Sequence, residues 1–192
     1  MTTSATQILR DEHDTILEMI GTLEAVVQRI EAGEPVALET LSGFTEFFVL
    51  FADRSHHGKE EDLLFPFLEC KGVPRNGGPL GCMLAEHDEG RTFIRAMKEN
   101  AEGCAGGGER ARRLWCNAAR SFATLLRKHI WKENQILFQI AEKLLSAEEQ
   151  AELAVRFKQV QAEKLDAPTL ARLEQKKRTI EQKFALARSK AG

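Results

Sequence analysis

The chain contains no tyrosine among its 192 residues, so a mechanism that stores an oxidising equivalent on a tyrosyl radical is excluded. Its four cysteines, Cys70, Cys82, Cys104 and Cys116, show no C-x-x-C spacing. Without a secretory context they read as reduced thiols on or near helices, not as a disulfide framework. They also offer no rubredoxin-like pair for electron entry. A redox bridge between Cys70 and Cys82, or between Cys104 and Cys116, depends on a Cα separation that spacing alone does not supply. No apolar run approaches the length of a bilayer span, the longest cluster being residues 47–52. The N-terminus has no basic stretch leading into an apolar one, so no signal peptide is expected and the cytoplasm is the expected location. Neither sign of charge dominates, since 27 Lys and Arg face 29 Asp and Glu for a net charge of −2. That balance argues against a nucleic-acid partner and against a membrane surface.

What the chain does have is repetition. Residues 54–65 and 127–138 share the pattern R-x-H-x-x-K-E-x-x-(L/I)-L-F at a spacing of 73 residues. In both copies a Glu follows the His by four positions, His56 with Glu60 and His129 with Glu133. On a helix these two side chains leave one face about one turn apart, as two ligands of one metal do. A second echo, Glu12-His13-Asp14 and Glu86-His87-Asp88, recurs 74 residues apart. Four of the five histidines thus occupy matched positions. A scatter of unrelated core histidines would not produce this, and the pattern predicts two helical hairpins related by a pseudo-two-fold.

Apolar periodicity predicts helix A from a Ser4/Gln7 capping box to Ala32, with Gly33 and Pro35 ending it. Helix B is expected over 36–70, weakened at Gly43 and Gly58 and bent or ended early at Pro66. A loop follows over 71–79. Helix C is expected over 80–101, a turn at Gly103 and Gly106–Gly108, and helix D over 109–145. Short loops make these an all-α, up-down-up-down four-helix bundle occupying residues 1–146, in which the four imidazoles meet at one level. A second capping box, Ser146 to Glu149, opens a C-terminal helical hairpin over 147–192. The hairpin carries a net charge of +3 against −5 for the rest. It is expected to pack on its own bundle or on a second copy, leaving monomer and homodimer both open.

His13, His56, Glu60, His87, His129 and Glu133 make six candidate metal ligands. That is too many for one tetrahedral zinc ion but suited to two ions bridged by carboxylates, and the mixed nitrogen and oxygen set favours iron, with zinc or manganese as alternatives. In the register of the repeat His57 lies about 100° round the helix from His56, so a supporting role is expected ahead of direct ligation. Glu61 and Asp62 read as solvated carboxylates or partners of a ligating imidazole, and Lys59 and Lys132 as surface lysines. Phe65 and Phe138 read as core residues whose bulk also limits water near the metals.

The paired H-x3-E motifs with E-H-D histidines upstream resemble the hemerythrin family, and more closely its HHE cation-binding branch, over residues 5–145. The resemblance implies a four-helix bundle with an oxo- or hydroxo-bridged di-iron centre that binds or responds to O2, NO, peroxide or iron, in sensing, detoxification or iron handling. A di-iron oxidase or peroxidase-like enzyme, or a metal-binding protein without redox role, are the alternatives. Two positions depart from the oxygen carriers, which have an imidazole where this chain has Arg91 and an Asp where it has Asn134. These departures tell against reversible oxygen carriage. One iron is then left with an open position, or recruits His57.

Overall fold

A computed structural model describes residues 3–188, and every regular element among them is a helix. The first is α1 (Ala5–Glu31), opened by the Ser4 hydroxyl, which accepts a hydrogen bond from the Gln7 amide. The expected capping box is only half made, because the Gln7 side chain turns to Asp11 instead. A second rod, helical without interruption from 38 to 70, is built from α2 (Leu38–Phe47), a π-helical stretch π1 (Phe48–His57), a second π turn π2 (Glu60–Leu64) and α3 (Phe65–Cys70). Pro66 neither bends this rod away nor ends it. It sits in the first turn of α3, just beyond a π turn, where the missing amide costs the ladder little.

The third helix, α4 (Gly78–Ala105), begins after a turn in which Gly77 takes φ 72°, open to glycine without strain. It runs four residues beyond the expected end, so Gly103 belongs to the helix. A Cβ at Gly103 would lie 2.7 Å from the Ala111 Cβ, and the glycine lets α4 and α5 approach at the turn. The fourth rod comprises α5 (Glu109–Lys132), π3 (Glu133–Leu137) and α6 (Phe138–Leu144). Ser146 and Glu149 then make a complete capping box for α7 (Ala147–Lys164), followed by α8 (Ala167–Arg188).

The core divides in two. One apolar cluster includes Ile16, Ala52, Ile94 and Leu126; the other includes Leu9, Leu64, Met83 and Leu137. Every rod passes from one cluster to the other and crosses a polar level on the way, at His13, at His56 to Glu60, at His87 and at His129 to Glu133. Along the chain the clusters are met in alternating order, which places the four crossings side by side.

The last two helices lie against the bundle. Leu153 and Phe157 of α7 join one apolar cluster, and Ile180 and Phe184 of α8 the other. Basic residues of these two helices find acidic partners there: Lys176 and Arg172 pair with Glu46, Lys177 with Glu18, and Lys164 with Asp62. Such exposed pairs contribute little each, and the burial of the four large side chains carries the docking. Gly43 makes room for it, since a Cβ there would lie 2.7 Å from the Ile180 Cδ1. Gly43→Val is therefore expected to lower stability by about 1–3 kcal/mol, read from urea unfolding. In an Ile180→Ala background the loss should shrink, and an equal loss in both would show that Gly43 does not meet α8.

Candidate metal centre

The structure brings all six expected residues together at the polar level and adds His57. Ligand atoms of His13, His56, Glu60 and Glu133 form one group, and those of His57, Glu60, His87 and His129 another, each within 4.8 Å of one another and each fully buried. The two carboxylates span both groups. Glu60 Oε1 lies 3.6 Å from His56 Nε2 and its Oε2 3.6 Å from His87 Nε2. Glu133 Oε2 lies 3.1 Å from His13 Nε2 and 3.2 Å from His129 Nε2. His87 and His129 face each other through Nε2 at 3.1 Å. Two metal–nitrogen bonds of about 2.1 Å at right angles would put their ends about 3.0 Å apart, so the spacing is that of two ligands on one cation.

Outside this layer, the other ring nitrogen of each of four histidines is held by the neighbouring rod. Nδ1 of His56 donates to Glu12 (2.9 Å), that of His87 to Glu61 (2.7 Å), that of His129 to Glu86 (3.0 Å) and that of His13 to the Asn134 Oδ1 (3.0 Å). Taken in order these bonds run from the first rod to the second, the second to the third, the third to the fourth and the fourth back to the first. The closed ring fixes each tautomer with Nδ1 protonated and leaves each Nε2 lone pair turned inward. Phe138 stacks on His13 (5.4 Å between centroids) and Phe65 on His87 (6.0 Å), so the repeated Phe of the motif closes the layer on its apolar side.

His57 arrives by the π geometry. A π turn winds each residue through roughly 80° in place of 100°, and π1 carries both His56 and His57 into the interior, where Glu60 serves both. The 100° argument from ideal α geometry therefore does not hold at this position. His57 stacks on His87 at 3.7 Å, while its counterpart in the repeat, Ile130, is a buried apolar residue.

The inward atoms lack ordinary partners. His13 Nε2 and all four carboxylate oxygens of Glu60 and Glu133 are buried without a hydrogen bond, a costly state unless positive charge lies between them. Burial pushes Glu60 well above the usual carboxylate range, and the neighbouring Glu133 adds to it. Burial acts on Glu133 too, but His129 and His13 outweigh it and hold it well below that range. Burial lowers His56 to about 4 in spite of Glu12, and lowers His57 well below the ordinary value, with His87 adding to the effect. His129 is lifted to about 9, because Glu133 and Glu86 outweigh its burial. Protons and a metal compete for the same atoms here, and a donor set of neutral imidazoles and two carboxylates fits dications.

Sequence reasoning had Glu61 as a possible partner of a ligating imidazole, as it is for His87, but missed the rest of the ring. The signal was present in the Glu of both E-H-D motifs, since Glu12 and Glu86 recur with the histidines they precede. The two lysines were also misread. Lys59 is fully buried and donates to Glu12 and, at 2.9 Å, to Gln161 of α7; Lys132 is half-buried and donates to Glu86. Gln161→Leu should leave the Lys59 ammonium short of a partner and cost about 1–3 kcal/mol, measured by chemical unfolding. Gln161→Glu, which keeps an acceptor, should cost less, and equal losses would rule out the hydrogen bond as the cause.

The hemerythrin HHE cation binding domain matches residues 4–141. Among curated proteins, the iron-sulfur cluster repair protein YtfE of Escherichia coli O157:H7 is 29% identical over 117 residues, 58% of this chain and 51% of YtfE. The protein of that name from Escherichia coli O81 (strain ED1a) is 28% identical over 133 residues, covering 67% of this chain and 59% of the relative. YtfE of Escherichia fergusonii is 27% identical over the same length and shares. The chain thus spans between half and three-fifths of the length of these relatives. No solved structure matches it, and no helix among the described residues is long and apolar enough to cross a membrane. The matched span takes in every residue of the cluster and ends before the C-terminal helices, and this chain belongs to the hemerythrin HHE cation binding domain family.

Proposed function

We propose that the chain is a di-iron protein whose bundle holds two bridged iron ions and binds or responds to a small ligand such as O2, NO or peroxide. His13 and His56 hold one ion; His57, His87 and His129 hold the other; Glu60 and Glu133 are shared. The observation that supports this most directly is the set of buried, partnerless carboxylate oxygens facing five imidazoles, which cations placed among them would satisfy. Five nitrogens and two carboxylates suit iron better than a four-coordinate zinc ion. The name that the YtfE relatives carry, iron-sulfur cluster repair, supports a role in iron handling.

The alternating order in which the rods meet the two apolar clusters supports an up-down-up-down bundle over 1–146. Residues 147–192 are then an extension, which buries Leu153, Phe157, Ile180 and Phe184 against its own bundle. Bound iron supplies the redox chemistry and the positions at which a small ligand attaches. The residues of the chain do the rest. The ring of Nδ1 bonds orients four imidazole donors before any ion arrives, Phe65 and Phe138 keep water from the layer, and the two shared carboxylates offset half the charge of two dications. With His57 available, the place held by Arg91 need not leave an iron short of imidazoles, while an Asn at 134 in place of an Asp leaves the His13 side with no carboxylate beyond the shared Glu60 and Glu133.

Protein purified from cells supplied with iron is expected to hold about two iron ions per chain by elemental analysis. None or one on folded protein would sink the two-metal reading. Glu60→Ala and Glu133→Ala should each strip both positions, because each carboxylate reaches both groups, whereas Glu61→Ala, which removes only an outer partner of His87, should weaken one position and leave the other bound. His57→Leu should lower metal content towards one per chain, and full retention of both ions would remove His57 from the ligand set.

A further inference from the structure

The guanidinium of Arg91 grips the outer partners of two imidazoles at once. Its Nε donates to Asp53 Oδ1 (2.8 Å) and its Nη2 to Glu61 Oε1 (2.7 Å), while Nη1 reaches Asp88 on its own helix (2.8 Å). The same Asp53 oxygen lies 3.4 Å from His57 Nδ1, and the same Glu61 oxygen accepts from His87 Nδ1 at 2.7 Å. These are the two stacked rings, with planes 14° apart. One planar cation therefore braces two carboxylates of the second rod, and through them a pair of parallel imidazoles on two different rods. A guanidinium fork is suited to this in a way that a point charge is not.

The internal repeat shows that the four residues form a unit. Shifted by the repeat spacing of 73 residues, Asp53, His57 and Glu61 fall on Leu126, Ile130 and Asn134, and Arg91 shifted by 74 falls on Leu17. All four charged or titratable positions are neutral in the other half. Leu126 and Ile130 are buried in the core, with Leu17 packed beside it, and Asn134 holds His13 with an amide that needs no counter-charge. The repeat builds two similar positions, and one of them carries an added clamp.

Resting on the two-metal reading above, we propose that Arg91 is a positioning residue that braces His57 and His87 through Asp53 and Glu61, making one of the two metal positions tighter than it would otherwise be while leaving the other untouched. The partner of the His13 and His56 position is a different set, Asn134 and the Glu12–Lys59 pair, which Arg91 does not touch. Loss of an outer partner of a ligating imidazole commonly costs 10–100-fold in metal affinity, so the effect should fall on one equivalent of two.

The test is an oxygen-free titration of apoprotein with cobalt(II), followed by its visible absorption and by metal retained per chain after desalting. Wild type should take up two equivalents. Arg91→Met and the near-isosteric Asp53→Asn should each keep one equivalent at wild-type affinity and weaken the other about 10–100-fold, with helical content unchanged by circular dichroism. Arg91→Lys, which keeps charge but loses the fork, should recover only part. Variants that titrate as wild type, equal weakening of both equivalents, or full recovery by lysine would each overturn the proposal. Fewer than two equivalents on wild type would instead overturn the two-metal reading, and the proposal with it.

Discussion

The hydrogen bond from Nδ1 of His13, His56, His87 and His129 to the neighbouring rod is the interaction on which the rest of the structure depends. A histidine has two ring nitrogens, and a buried one must account for both. By meeting one nitrogen from outside, Glu12, Glu61, Glu86 and Asn134 decide that the other points in. The same four bonds tie each rod to the next. Rod spacing and donor direction are therefore one geometric problem with one solution, which is why a polar level can sit between two apolar clusters without dissolving either.

Charge is balanced at the same level. Each carboxylate of the ring has its own cation, Lys59 for Glu12, Arg91 for Glu61 and Lys132 for Glu86. Asn134 carries no charge. The hydrogen bonds of His87 and Arg91 to Glu61, and those of His129 and Lys132 to Glu86, outweigh partial burial and hold both carboxyls at about 2. The ring is thus anionic towards the imidazoles yet neutral as a whole, and the charge left for the interior is that of Glu60 and Glu133. Lys59 also carries the arrangement outward, because its remaining partner is Gln161 on α7. Three hydrogen bonds, Gln161 to Lys59, Lys59 to Glu12 and Glu12 to His56, thus link α7 to an imidazole that faces the cluster.

The π turns are where backbone and site meet. They occur at His56 and His57, at Glu60 and at Glu133, and π turns commonly mark functional positions in helices. Widening the helix narrows the angle between adjacent residues from about 100° to about 80°, and both members of the histidine doublet are buried, one in each group of ligand atoms. The same widening lets Pro66 follow without breaking the rod.

The residue pattern by itself determined the helical class, the doubled motif and six of the seven residues that meet in the cluster. These follow from local spacing, which 3.6-residue periodicity turns into faces, and from an internal repeat that serves as its own control. Glu12 and Glu86 were legible too, as the companions of His13 and His87, but their meaning was not, because the imidazoles they hold lie on another rod. Only tertiary structure decided the place of His57, since π winding answers to packing and hydrogen bonding around the rod and leaves no periodic trace in the residues. It also decided that Lys59 is buried. A lysine on the flank of a motif reads as solvated until α7, whose sequence lies about a hundred residues further on, is laid over it.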